Sequence, residues 1–165
     1  MDKIIAELQQ QHPNLNRPYK VMIAGTFDII HTGHISLIKA AAEVGDVYVI
    51  IARDSSVEKF KEQKPIMPET QRLEIIRNIK GVKHVELGSD KEDWLIRIVE
   101  IKPDLFLLGP NQWGDQNKYE EEAQALGAPT MFRRLPEMDT AFPLNSSTKI
   151  KEKILTCYKS KSIKK

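Results

Sequence analysis

The chain has little of what marks secreted, membrane-spanning or nucleic-acid-binding proteins. It contains 1 cysteine, Cys157, so an internal disulfide is excluded. Its apolar runs are far shorter than a membrane span, and its first residues do not resemble a signal peptide. The formal net charge is only +2, and the lysines of segment 159–165 supply part of the positive charge. We therefore predict a cytoplasmic protein with no nucleic acid and no membrane among its partners.

The composition is that of an ordinary folded domain. With 165 residues, of which 41% are hydrophobic and 29% charged, the chain is long enough to bury a core. Residues 1–18 have a weak helical pattern interrupted by prolines, and we interpret them as an N-terminal extension that lies on the domain, helps a dimer contact or is loose. We predict a single domain over residues 19–158 and a basic, flexible tail over residues 159–165.

Apolar strand-like runs alternate with segments of helical period. The runs lack alternation, which is typical of strands buried on both faces of a parallel sheet. We predict strands over residues 19–25, 46–52, 84–88, 104–108 and 129–134. We predict helices over residues 32–44, 69–81, 94–102 and 117–126 and a closing helix from Ile150, whereas segment 58–64 is taken as a polar loop. The first of these helices should bury Ile35, Ile38 and Ala42. This order predicts an α/β fold, a five-stranded parallel sheet with helices on both faces.

The stretch from Ala24 to His34 organises the predicted site. It joins the first strand to the first long helix through a glycine turn, so the free N–H groups of the helix point to the carboxyl edge of the sheet, where an anion is favoured. His31 and His34 are spaced to reach one phosphate group from the first turn. Gly25 permits a close backbone approach, and Gly33 leaves room for a nucleotide.

A second anion site is predicted near the C-terminus, where Ser146, Ser147, Thr148 and Lys149 open the closing helix. Two other loops leave strands at the same edge. In the first, Lys59, Lys61 and Lys64 are candidate phosphate contacts, and Arg72 follows in the first turn of a helix, where a cation suggests an anionic partner.

The loop from Gly109 to Gly114 is the other candidate. Asn111 and Gln112 have the paired donors and acceptors that read a base edge or a ribose. Trp113 has two open interpretations: it stacks on a ring, or it anchors its own loop.

The motifs Gly25-Thr26-Phe27-Asp28 and His31-Thr32-Gly33-His34 together resemble the signature of the HxGH nucleotidyltransferases. The resemblance implies a Rossmann-like fold, a homodimer and a C-terminal Ser-Ser/Thr-Thr-Lys/Arg-Ile motif that holds the triphosphate. Among the subgroups, the chain is most similar to archaeal FAD synthases, which transfer AMP from ATP to FMN. Similar stretches include Arg53-Asp54, Lys64-Pro65-Ile66-Met67-Pro68, Lys102-Pro103-Asp104 and Leu108-Gly109-Pro110-Asn111-Gln112.

Comparison with the patterns of two subgroups leaves a second pair of substrates, CTP and a polyol phosphate, as an alternative. Asn111 stands where an acidic residue is expected. Glycerol-3-phosphate cytidylyltransferases, which use CTP and a polyol phosphate, carry an Arg-Thr-x-Gly-Ile-Ser-Thr run where this chain has Pro143-Leu144-Asn145-Ser146-Ser147-Thr148. A nucleotide-binding protein without catalysis is a further alternative.

Nucleotidyl transfer assigns a role to each candidate. An acceptor attacks the α-phosphorus of a nucleoside triphosphate, and the protein positions the reactants and neutralises charge. The residues assigned to catalysis are His31, His34, Lys64 and Arg72. Those assigned to binding are Gly25, Thr26, Phe27, Asp28, Gly33, Gly109, Asn111, Gln112, Ser146, Ser147, Thr148 and Lys149. Asp28 has two open roles, to bond the acceptor or to orient a backbone turn. Mg²⁺ is expected on the phosphates, although the sequence has no dedicated metal motif.

Overall fold

A computed structural model describes residues 1–91, 94–112, 114–136 and 141–162, with side chains as far as Tyr158. The prediction for Trp113 therefore lies outside the described residues, as do residues 163–165 of the predicted tail, whereas the backbone of residues 159–162 continues the last helix. The described elements, in chain order, are α1 (Asp2–Gln11), β1 (Tyr19–Gly25), α2 (Thr32–Val44), β2 (Gly45–Ile51), α3 (Asp54–Lys61), α4 (Glu69–Arg77), β3 (Val82–Leu87), α5 (Ile96–Ile101), β4 (Leu105–Leu108), α6 (Gln116–Ala125), β5 (Met131–Arg134) and α7 (Ser147–Ser162).

The strands form one 5-stranded sheet in the order β3-β2-β1-β4-β5, with every neighbouring pair parallel. The predicted α/β fold is thus confirmed. From β1 the chain adds β2 and β3 on one side and then returns to add β4 and β5 on the other. The order reverses between β1 and β4, and ligands of open α/β sheets bind in the crevice at such a switch point.

The sheet separates two apolar cores, which explains why its strands do not alternate with polar residues. Val21 and Ile23 of β1 face one core, together with Leu37 and Ile38 of α2. Met22, between them in sequence, faces the other core. Because successive side chains of a strand point to opposite faces, a strand that is covered on both sides needs apolar residues throughout.

The buried face of α2 differs in part from the prediction. Leu37, Ile38 and Ala41 are buried, whereas Ile35 is half-buried and Ala42 is exposed. The prediction for Ala42 was therefore wrong. Leu37, Ile38 and Ala41 follow an i, i+1, i+4 spacing, which lies on one face of a 3.6-residue helix.

Residues 54–61 form a helix, α3, where the sequence had suggested a polar loop. Val57 is its buried residue, so the segment shows no apolar period. Its first turn is held by a reciprocal pair of bonds with α4. The Asp54 N–H donates to the Glu69 carboxylate at 2.7 Å, and the Glu69 N–H donates to the Asp54 carboxylate at 3.1 Å. The carboxylates thus cap the first turns of the two helices.

The N-terminal segment packs on the domain through α1. Leu8 is fully buried in the core that also contains Val21. Arg17 then holds the segment that follows, since its guanidinium donates to both oxygens of Asp104, at 2.7 and 2.9 Å. The Asp104 carboxylate also accepts from the Lys20 N–H at 2.7 Å. These bonds attach the start of β1 to the start of β4.

The outer edge of β5 is occupied by side chains. The Phe132 N–H donates to the Glu120 carboxylate of α6 at 2.7 Å. Arg133 donates to Glu120 and to Glu7 of α1, each at 2.7 Å. Two helices are therefore tied to this edge strand by charged groups. In the described part of the chain, no helix has both the length and the apolar character to cross a membrane.

Candidate active site

The site lies at the switch point, where a glutamine side chain joins the ends of β1 and β4. Gln112 accepts from the Gly109 N–H through Oε1 at 2.6 Å and donates to the Ala24 carbonyl through Nε2 at 2.9 Å. Both ends of the amide are thus engaged by backbone. In this structure Gln112 fixes the loop, and its role in reading a base stays a prediction. The neighbouring Asn111 is exposed, and its role in base recognition stays a prediction.

The two predicted histidines are in contact at the N-terminus of α2. His31 is the N-cap residue, and its Nδ1 accepts from the His34 N–H at 3.3 Å. The rings stack with centroids 3.7 Å apart, and the His34 ring also lies 4.9 Å from that of Phe27. Nδ1 of His34 is buried with no hydrogen-bond partner among the described residues. A buried polar atom of this kind calls for a functional explanation.

Burial keeps both imidazoles neutral. Desolvation lowers the pKa of His31. For His34, desolvation and then the positive charges of His31 and Lys61 lower the pKa from 6.5 to about 3. At neutral pH the free site therefore presents uncharged rings, and a bound polyanion would raise these pKa values by opposing charge.

This charge state predicts how the ligand-free protein responds to pH. We expect the His34 ring protons to show no titration by NMR between pH about 7 and 5, whereas the urea-unfolded chain titrates near 6.5. Because the folded pKa is depressed, the stabilisation is complete above pH 6.5 and is lost as pH falls towards 3. A midpoint near 6 in the folded, ligand-free protein would contradict the buried neutral ring.

The N-terminus of α7 lies against that of α2. A Cβ at Gly33 would lie 2.6 Å from the Asn145 carbonyl oxygen and 3.1 Å from His31 Nδ1, so only glycine fits this approach. Ser147 Oγ donates to the Ile29 carbonyl at 3.3 Å, and Ser146 Oγ accepts from the Lys149 N–H at 3.2 Å. The two predicted anion sites are thus brought to one place. Thr148 and Lys149 are exposed there, with Lys149 Nζ 2.8 Å from Asn145 Oδ1.

Gly33→Ala should separate the two helix ends. The added methyl group has to push the Asn145 backbone away, since 2.6 Å is well inside van der Waals contact. We expect kcat/KM for the nucleotide to fall by roughly a hundredfold, because misplacing a reacting group by about 1 Å costs that much. Gly88→Ala is the matched control, since its Cβ would meet atoms at ordinary distances of 3.5 and 3.7 Å. Equal kinetics for the two variants would show that the helix ends need not meet.

The turn between Gly25 and Asp28 is held in an uncommon conformation. Phe27 has φ 50° and is buried, with its ring against Gly25, where a Cβ would meet that ring at 3.1 Å. Asp28 is also buried, accepting from the Met67 N–H at 3.0 Å and lying 2.8 Å from Lys151 Nζ. Burial would raise the pKa of Asp28, but the hydrogen bonds from Lys151 and from the backbone at Met67 lower it overall. Of its two predicted roles, the structure supports orienting the backbone.

Lys151 was missed from the sequence. It lies two residues after Lys149, the last residue of the Ser-Ser-Thr-Lys motif, and its ammonium group contacts Asp28 of the domain. The available signal was a second lysine two residues after Lys149 in a predicted helix. Its pairing with Asp28 connects α7 to the turn at Phe27.

Arg72 occupies a different position from the one predicted. Its guanidinium is fully buried and donates to three carbonyl groups, those of Met67 at 3.0 Å, Ala52 at 2.7 Å and Thr26. It also lies 2.6 Å from Asp54 Oδ1. The prediction of direct contact with a substrate is therefore wrong in this structure. Arg72 is a positioning residue that holds the ends of β1 and β2 and the loop before α4 together.

Of the lysines in the segment before α4, Lys61 is the one beside the site. Its Nζ donates to Thr26 Oγ1 at 3.1 Å, and its charge contributes to the lowered pKa of His34. Lys64 is 71% exposed and pairs with Glu58 at 3.6 Å. The assignment of Lys64 to catalysis stays a prediction, whereas Lys61 already contacts the Gly-Thr-Phe-Asp turn.

The described residues contain no group of three or more His, Cys, Asp or Glu side chains that could hold a metal ion. Asp28, the buried carboxylate nearest the histidines in sequence, is engaged by Lys151 and Met67. The described side chains therefore form no preformed divalent-ion site of their own.

A parallel sheet whose switch point holds a histidine pair between two helix N-termini is the arrangement of a Rossmann-like nucleotidyltransferase. Sequence comparison agrees with this class. Residues 22–153 match the family described as cytidylyltransferase-like, and the chain belongs to that family. The resemblance stated from the motifs is thus confirmed.

Several archaeal FAD synthases are similar to this chain over most of their length. That of Korarchaeum cryptofilum is 37% identical, over 84% of this chain and 93% of its own. That of Methanocella paludicola is 40% identical, over 82% and 95%. A crystal structure titled as the lipopolysaccharide core biosynthesis protein from Thermoplasma volcanium is 33% identical, with TM-score 0.70, covering 73% of this chain and 98% of that one.

Proposed function

We propose that the protein is an FAD synthase, which transfers AMP from ATP to FMN. A phosphate oxygen of FMN attacks the α-phosphorus of ATP, the bond from that phosphorus to the β-phosphate oxygen breaks, and pyrophosphate leaves. The phosphate monoester is already ionised at neutral pH, so the attack needs no general base. The protein has to align the reactants and stabilise the charge that develops on the equatorial oxygens and the leaving group.

The observation that carries the proposal is the meeting of two helix N-termini around His31 and His34. Free N–H groups of α2 and α7 give this point a positive potential, and the Gly33 contact brings them together. A single phosphate needs one such helix end, whereas a triphosphate presents several anionic groups. The paired ends therefore favour a nucleoside triphosphate as the ligand.

The residues at this point suggest a division of labour. Neutral His31 and His34 donate hydrogen bonds to the α- and β-phosphates, while Ser147, Thr148 and Lys149 hold the β- and γ-phosphates. The backbone at Thr26 and Phe27 lies beside the α-phosphate.

Lys61 is released from Thr26 to pair with an incoming phosphate, because a charge-assisted bond to phosphate is stronger than one to a hydroxyl. A divalent ion such as Mg²⁺ would be carried by the nucleoside triphosphate and would offset the negative charge of its phosphates. Divalent-ion dependence and a homodimer are part of this proposal.

The choice of ATP and FMN rests on the FAD synthases to which the chain is similar over more than four-fifths of its length. From the sequence, CTP with a polyol phosphate stays the competing pair, in a family described as cytidylyltransferase-like. Asn111 is exposed, and whether its side chain recognises the base of ATP or of CTP is what the substrate test decides. A cytoplasmic location and the absence of nucleic-acid and membrane partners stay predictions.

The test is a pyrophosphate-release assay that crosses ATP and CTP with FMN and glycerol 3-phosphate in the presence of Mg²⁺. We expect release only with ATP and FMN, together with FAD identified by mass spectrometry. The double variant His31→Ala, His34→Ala, purified in parallel, controls for contaminating enzymes. Release with CTP and glycerol 3-phosphate alone would overturn the substrate assignment. Nucleotide binding without turnover in any pair would overturn the assignment of catalysis.

A further inference from the structure

Large apolar side chains are exposed on the segments that surround the site. Phe60 at the end of α3 is 70% exposed and Ile66 in the following loop is 62% exposed. On α7, Ile154 and Leu155 are 45% and 60% exposed. Exposed apolar side chains that lie together mark a binding site more often than isolated ones do, so the positions of these four relative to the phosphate site matter.

Two of the segments that carry these side chains meet at Asp28. The carboxylate of Asp28 bonds the Met67 N–H, next to Ile66, and on its other side meets Lys151 of α7. Ile154 and Leu155 follow Lys151 by three and four residues, so they lie one turn further along the same face of the helix. Asp28 thus connects the loop that carries Ile66 with the part of α7 that carries the exposed apolar pair.

Phe60 precedes Lys61, which contacts the turn that contains Asp28. Lys61 Nζ bonds Thr26 Oγ1 at 3.1 Å, two residues before Asp28. The cation of Lys61 therefore lies at the edge of the phosphate site, and the exposed aromatic side chain of Phe60 precedes it in the chain. Their ligand should carry a phosphate and, a short distance from it, a large apolar ring.

Resting on the proposed function, we propose that Phe60, Ile66, Ile154 and Leu155 form the surface on which the acceptor's aromatic ring system binds, while Lys61 holds the acceptor's phosphate. A flat tricyclic ring buries its faces well against aromatic and branched side chains. The acceptor then lies with its phosphate towards His31 and His34. A polyol phosphate has no such group, so this surface would distinguish FMN from small phosphates.

The test compares acceptors with and without the ring. FMN fluorescence titrations and steady-state kinetics are measured on the full chain and on Phe60→Ser, Ile66→Ser and Leu155→Ser. All three side chains are mostly exposed, so folding should be unaffected. We expect Kd and KM for FMN to rise about tenfold in each variant, with KM for ATP and kcat changed less than twofold. Ribitol 5-phosphate, which lacks the ring, should inhibit wild type and variants equally.

Leu126→Ser is the matched control, since Leu126 is 49% exposed at the end of α6, away from these segments. An unchanged KM for FMN in all three variants, with FAD still formed by the wild type, would overturn this inference and leave the proposed function standing. A change of oligomeric state by light scattering without a change in FMN affinity would overturn it in favour of an interface between copies. Failure of the wild type to bind FMN would overturn both proposals.

Discussion

Replacing His34 with alanine should lower kcat by about a hundredfold or more, because removal of one preorganised hydrogen-bond donor to a transition state typically costs this much. The ring is fixed by its stacking on His31 at 3.7 Å and its contact with Phe27 at 4.9 Å, so it is available without reorganisation. KM for the nucleotide should change less than kcat, since the donor acts most strongly when charge develops. Single-turnover measurements with saturating nucleotide would report the chemical step directly.

The effect has to be separated from loss of fold. Thermal unfolding of His34→Ala is measured alongside Lys39→Ala, a substitution of an exposed residue on the same helix. We expect the Lys39 variant to retain full activity. A His34 variant that folds and turns over within threefold of the wild type would remove His34 from the mechanism.

Replacing Arg72 with alanine should lower the free energy of unfolding by about 3–5 kcal/mol, because it removes a fully buried charged donor and leaves its acceptors in place. The substitution leaves the carbonyl groups of Thr26, Ala52 and Met67 without this donor. It also removes the ion pair that Arg72 makes with the Asp54 carboxylate. Urea unfolding followed by circular dichroism gives the difference. Arg72→Lys should recover only part of it, because an ammonium group cannot serve several divergent acceptors in one plane.

Arg77→Ala is the control for this prediction, since Arg77 lies at the end of the same helix with its guanidinium 57% exposed and paired only with Glu74 at 2.9 Å. It should cost less than about 1 kcal/mol. If Arg72→Ala unfolds at the same urea concentration as Arg77→Ala, the buried guanidinium is not what holds the strand ends. If it is stable but inactive, Arg72 shapes the site through the carbonyl groups of Thr26, Ala52 and Met67 without contributing to the stability of the fold.

The sheet and the histidine pair could be predicted because their signals are local. The strand from Tyr19 to Gly25 and the helix from Thr32 to Val44 have the bounds the sequence suggested, since an apolar run, a glycine turn and a helical period adjoin. The loop from Gly109 to Gly114 was also expected at this edge, because parallel strands deliver their following loops to one edge. The direct approach of the C-terminal motif to Gly33 was not predicted, since the role given to Gly33 was to leave room for a nucleotide.

The partners of the polar side chains could not be predicted in this way. Arg72, Gln112 and Asp28 each read as residues that bind a ligand, because such groups near a phosphate motif commonly do. In the structure all three bond backbone groups that lie far away in sequence, at Thr26, Ala24 and Met67. Such a choice depends on how strand ends are spaced, which no local pattern encodes. Helix α3 was missed for the opposite reason, since its one buried residue leaves no period to detect.

The carboxylate of Glu120 on the outer edge of β5 has a consequence for how copies of this protein can meet. An open edge strand offers its N–H groups to any other strand and so invites continuous sheets and aggregation. Here the Phe132 N–H is already taken at 2.7 Å, and Arg133 adds a charge held between Glu120 and Glu7. A second chain cannot extend the sheet across β5 without breaking these bonds. At the β5 edge, self-association of the folded protein should therefore proceed through side-chain contacts and not through strand pairing, and removal of Glu120 would open this edge to strand-mediated aggregation.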